Sequence, residues 1–127
     1  MQSQIEQKSI EMQRDMDLVR ELLLKIEANP LCDGTRWNTI YIPGHSVEET
    51  NYHLKLLEQA GYISGNQPVV HYQVSALTWR GHEFLDNIKD AGIWSQVKEK
   101  SKDLGGVGLK IIEEIASSLI RAHFHLP

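Results

Sequence analysis

The apolar positions of the first thirty residues recur in steps of four and three. Ile5, Ser9, Met12, Met16, Val19, Leu23 and Ile26 mark one helical seam, which Leu18, Leu22 and Leu24 widen in its second half. The broad half suits a helix docked on a core. The narrow half suits a partner helix or a frayed extension. Asp15 is a candidate N-cap for a shorter helix starting there. Asn29-Pro30 ends the pattern, because proline disfavours helical geometry in the residue before it. Asp33-Gly34 is a turn signal. The chain then alternates, with Trp37, Thr39 and Tyr41 to one side and Asn38, Ile40 and Ile42 to the other. This predicts a strand, ended by Pro43-Gly44.

Ser46 with Glu49 three residues on is a capping box, and the spacing predicts a helix over Ser46–Ala60. Val47, Thr50, Leu54, Leu57 and Ala60 make its inner face, and Gly61 is placed as a left-handed C-cap. Tyr62-Ile63 opens a strand, Ser64 to Pro68 turns the chain, and Val69 to Leu77 returns as a second strand, giving a hairpin. Thr78 caps a helix over Thr78–Ala91 that Gly92 closes, with Trp79, Phe84, Leu85 and Ile88 as its apolar surface. A short helix is expected from Ser95 to Asp103, a flexible break over Leu104–Gly108, and a last helix from Leu109 to about Phe124. That helix carries two apolar sets: Leu109, Ile112, Ala116 and Leu119, and also Ile111, Ile115 and Ala122. An apolar surface so wide must be covered on more than one side. Leu54, Leu57, Ile63, Leu77, Phe84 and Leu85 are expected in one core.

Composition bounds the class. The chain has 127 residues, 41% hydrophobic and 24% charged, which is enough for one packed domain. The single cysteine, Cys32, excludes an intrachain disulfide and a multi-cysteine zinc site. No apolar run approaches a membrane span, and the Gln- and Glu-rich start has no secretory core, so a cytoplasmic protein with no membrane role is expected. A net charge of −4 argues against a generally basic nucleic-acid coat but leaves room for a local patch.

The order helix, strand, helix, β-hairpin, helix defines an α+β, mostly helical chain with extra C-terminal helices. Ser46 to Ile63, with its Leu-x-x-Ala-Gly-Tyr-Ile ending, resembles the recognition helix of a winged-helix domain leading into the wing. Leu77-Thr78-Trp79-Arg80-Gly81-His82 is similar to the Leu-Thr-x-x-Gly phrase that often follows a wing. A closer resemblance rests on three phrases: Arg14 to Leu18, Asn51 to Leu57 and Leu77 to Leu85. They look like a bacterial and prophage family, domain of unknown function 2513, over roughly Arg14 to Lys102. The resemblance implies a winged-helix fold and a mobile-element context, with no reaction and no catalytic residue. The expected layout is residues 1–13 as a helical extension, 14–92 as a winged-helix-like core, and 93–127 as helices packing on the core or on a dimer partner. A helix-turn-helix needs a second helix before the recognition helix; here Leu31 to His45 holds a turn and the strand Trp37–Ile42 instead, with room for a very short helix around His45 to Glu49, so a degraded or rearranged tandem is expected.

The presumed recognition helix exposes Glu48, Glu49, Asn51, Tyr52, Lys55, Glu58 and Gln59, one base against three acids. Phosphate contacts carry much of a DNA binder's affinity, so this face suits a major groove poorly. Asn51 and Gln59 could still read adenine edges. Arg36, His71, Arg80 and Lys89 could form a basic patch near the wing, or be scattered surface charge. His53, His82 and Asp17 have ligand chemistry but no local ligand spacing, so structural histidines are expected, mostly buried and near each other or near Asp17, with no metal. Gly105-Gly106-Val107-Gly108 lacks the ending of a phosphate loop and reads as a linker. No nucleophile or paired carboxylate is placed for catalysis, so no enzyme and no cofactor are expected. Two functions follow: a DNA-binding regulator of double-stranded DNA, expected from the fold, and an acidic module that binds a host protein. A homodimer through Ile5, Met12, Leu109, Ile111, Ile112, Ile115 and Leu119 is expected with either.

Overall fold

The computed structural model describes residues 13–67, 70–103 and 108–127. The early seam with Ile5 and Met12, the residues 1–13 extension apart from Gln13, and most of the Gly105–Gly108 linker lie outside the described residues. Helix α1 runs Met16–Ala28, β1 Asn38–Thr39, α2 Val47–Gln59, β2 Ile63–Asn66, β3 Gln73–Leu77, α3 Trp79–Ile88, α4 Ala91–Asp103 and α5 Leu109–His123. Among the described residues the chain is therefore α+β, with helices around a small antiparallel sheet of order β1-β3-β2.

Local signals set most boundaries. Asp15 caps α1, its side chain accepting from the Asp17 and Leu18 N–H groups. Ser46 caps α2 through the Glu49 N–H, and Thr78 caps α3 through the Gly81 N–H. Helix α2 ends with Gly61 at φ +85, its N–H bonded to Glu58 O while Tyr62 N–H reaches Leu57 O. That pair of bonds needs a left-handed residue at the turn, which glycine adopts without strain.

Leu18, Val19, Leu22, Leu23 and Ile26 bury one stripe of α1 against β3 and α3. Full burial of each is worth roughly 1.5–3 kcal/mol. Helix propensities differ by under about 1 kcal/mol per residue, so packing holds α1. Leu54, Leu57, Ile63, Leu77, Phe84 and Leu85 share this core, as expected. Trp94 and Val97 of α4 and Ile112 and Ala116 of α5 join the same cluster, so the C-terminal helices pack on the core.

Four expectations are corrected. The strand expected over Trp37–Ile42 pairs only at Asn38–Thr39, against Val74 and Gln73. Its alternation survives, with Trp37, Thr39 and Tyr41 exposed and Ile40 and Ile42 buried. Pairing stops because Tyr72 N–H is taken by Asn51 and Ser75 O by Gly34 N–H. Val47 is exposed, and fully buried His53 takes a place on the inner face of α2. Helix α3 ends at Ile88, and Gly92 stands in the first turn of α4. Asp90 starts that helix by accepting from Gly92 and Ile93 N–H, so the boundary expected between residues 92 and 93 falls inside a helix. Trp79 is 80% exposed, because it lies on the outer side of the α3 start.

Candidate functional site

Of the residues expected to meet DNA or a partner, Asn51 and His71 come together. They line a small cleft of about 40 Å³ between β1, the start of α2 and the hairpin loop, with Tyr41, His45, Val47 and Tyr72. Tyr41 is 66% exposed at its rim. Trp37, on the same outward row of β1, is exposed as well, and so is Val70 in the hairpin loop.

Asn51 is already engaged. Its Nδ2 donates to Val70 O at 2.6 Å, and its Oδ1 accepts the Tyr72 N–H at 2.8 Å. Reading an adenine edge takes the same donor and acceptor. Asn51 therefore clamps the hairpin loop onto α2. Tyr52 is half-buried, edge-on to the His53 ring at 5.6 Å. Lys55 and Gln59 are exposed on α2, together with Glu48 and Glu58.

Arg80 and Lys89, two of the four candidates for a basic patch, are each held in an ion pair. Arg80 donates from Nη2 to Glu113 Oε1 at 2.9 Å and from Nε to Oε2 at 3.3 Å. Glu113 Oε1 also accepts the Tyr62 hydroxyl at 3.0 Å, and the guanidinium lies 5.0 Å from the Tyr62 ring centre. The Arg80 hydrogen bond, with a smaller contribution from Tyr62, holds the Glu113 carboxyl below its ordinary value despite partial burial. Burial, then the Glu113 bond, pushes the Tyr62 hydroxyl up to about 12. Lys89 pairs with Glu27 at 2.9 Å. Arg36 is exposed in the loop before β1. Arg80 and Lys89 thus clasp helices together, and their charge is neutralised locally.

The histidines also separate. His53 is fully buried; its Nδ1 bonds Glu49 O at 2.9 Å and its Nε2 accepts the Asp15 N–H at 2.8 Å. It is satisfied at both nitrogens and fastens α2 to the start of α1, beside Asp15 rather than Asp17. His82 is exposed, 3.9 Å from Glu27, so the expectation of burial fails for it. Asp17 instead accepts the Trp94 indole N–H at 2.8 Å and Lys98 Nζ at 3.0 Å, which ties α1 to α4. The Trp94 bond lowers the Asp17 carboxyl below its ordinary range, with Lys98 adding to the effect.

A different triad converges: Asp15, His45 and Glu49 each bring a donor atom within 4.8 Å of the others. The i,i+4 spacing of His45 and Glu49 was legible in the sequence; the approach of Asp15 was not. Each member has a partner, with Asp15 capping α1 and His45 Nδ1 bonded to Glu49 Oε1 at 2.9 Å. Two helix N-termini also point here, and their positive ends oppose a cation.

The described residues expected at a dimer interface differ in burial along α5. Ile112 is buried, Leu109, Ile115 and Leu119 are half-buried, and Ile111 is 40% exposed.

This small α+β chain belongs to the family described as "Hypothetical protein (DUF2513)", whose profile matches residues 13–108. It is 35% identical over 115 residues to an "Uncharacterized protein" of Haemophilus influenzae, an alignment covering 86% of this chain and 96% of that relative. No solved structure matches it. Among the described residues, no helix is long and apolar enough to cross a membrane.

Proposed function

We propose that the chain is a non-catalytic regulatory protein of winged-helix type whose target is another protein. The observation that carries this reading is the state of α2. Its clearest base-reading group, Asn51, is engaged in holding the hairpin loop. Its exposed face offers Lys55 against Glu48 and Glu58. A face with that balance repels phosphate, and phosphate contacts supply much of a DNA binder's affinity. Beside it, Trp37 and Tyr41 stand in water, and exposed aromatics are the residues that anchor protein interfaces.

One observation favours double-stranded DNA instead. A helix leading through a glycine turn into a hairpin resembles the recognition helix and wing of a winged-helix DNA binder. The two readings separate in one experiment. Fluorescence anisotropy of the full chain on random duplex DNA, at low and high salt, is expected to show no binding at either. Tight binding at low salt that weakens steeply as salt rises would establish phosphate contacts and overturn the protein-target reading.

A further inference from the structure

We infer that a second copy of this chain docks on the groove between α4 and α5. The groove has a volume of about 280 Å³ and is lined by Lys100, Ile111, Glu114, Ile115, Ser118 and Leu119. Ile111, Ile115 and Leu119 follow an i, i+4, i+8 spacing, so they form one straight stripe along α5. The neighbouring stripe of the helix, Ile112 and Ala116, about 100° round the axis, is already buried in the core. Among the described residues, Ile115 and Leu119 of the outer stripe are covered only in part, where they pack against the edge of the core, and Ile111 stays 40% exposed.

The charges at the groove's edge indicate the occupant. Lys100 and Glu114 are both exposed, and neither forms an ion pair among the described residues. A groove with one base and one acid at its edges around an apolar floor complements itself. In a two-fold pairing the same patch serves both partners, so each residue meets its counterpart's neighbour twice. With α5 antiparallel to its mate, Ile115 lies near the axis and Lys100 of each copy faces Glu114 of the other. Ser118, a small side chain, lets the two helices approach. A target protein of one dominant charge would leave either Lys100 or Glu114 opposed by a like charge.

The pairing is independent of what the α2 face binds, and its test is separate. Sedimentation velocity on the full chain at about 100 micromolar, a concentration where modest interfaces persist, is expected to give a dimer. Lys100→Glu and Glu114→Lys each place like charges together twice, so each variant alone is expected to dissociate at least about tenfold more readily. Mixing the two restores both opposite-charge contacts, and the mixture is expected to return to dimer. Both positions are exposed, and circular dichroism confirms that each variant is folded. A monomeric wild type overturns the inference. So does a dimer that neither single variant weakens, or one that the mixture fails to restore, since the interface would then lie elsewhere.

Discussion

Gly81→Ala is expected to destabilise the protein, against the ordinary rule for a glycine in a helix. Alanine is favoured over glycine by about 1 kcal/mol in a helix interior. A Cβ at residue 81, however, would stand 2.0 Å from the Tyr62 carbonyl oxygen and 3.0 Å from its carbon. Carbon–oxygen contacts need roughly 3.3 Å, so the start of α3 must move away from β2 by more than about 1 Å. Both neighbours are backbone, so no side chain can swing aside. The movement strains two bonds at the same joint: Thr78 N–H to Tyr62 O at 3.0 Å, and Thr78 Oγ1 to Gly61 O at 2.6 Å. Each is worth about 0.5–1.5 kcal/mol. Overpacking adds about 1–3 kcal/mol. Set against the propensity gain, the net loss is about 1–5 kcal/mol. At about 4 °C per kcal/mol for a domain of this size, that lowers Tm by roughly 4–20 °C. Urea unfolding followed by tryptophan fluorescence measures the loss, and a thermal melt measures the shift. Gly92→Ala serves as the control. Its Cβ meets only the Asp90 carboxylate, at 3.1 Å, so its effect should stay within about 0.5 kcal/mol. A Gly81→Ala protein as stable as the parent would refute the close approach of α3 to Tyr62.

Two further outcomes follow from the clasps. Glu113 has a depressed folded pKa, so its contribution is complete above its ordinary value of 4.5 and is lost as pH falls through the lower folded value. Glu113→Gln should melt below the parent at neutral pH, with the gap closing in acid well below 4.5; a gap constant with pH would exclude the Arg80 pairing as its source. Asn51→Ala removes both bonds to the hairpin loop and leaves the Tyr72 N–H unpaired, a cost of about 1–3 kcal/mol. Amide exchange at Tyr72 should quicken, and an unchanged rate would mean that Asn51 does not hold the loop.

The order of elements and most of their ends were legible from near neighbours along the chain. Ser46, Gly61 and Thr78 act on groups within about four residues, and the alternation from Trp37 to Ile42 needs only the pleat of an extended chain. The apolar stripes of α1 and α2 likewise named the core, apart from Val47, which is exposed, and the burial expected for His53 is found. Tertiary structure decided which polar residues remain available. Asn51 and Arg80 read from sequence as surface groups and Asp17 as a neighbour of the histidines, yet each is engaged by other residues distant in the chain. Trp94 lies 77 positions from Asp17, and Glu113 lies 33 from Arg80. The same holds for Gly81: the Leu-Thr-x-x-Gly phrase was visible, but its reason is the Tyr62 carbonyl that packs against it. Caps and periodicity are written by near neighbours, whereas hydrogen bonds between helices depend on how those helices cross, and that crossing is set by the whole core.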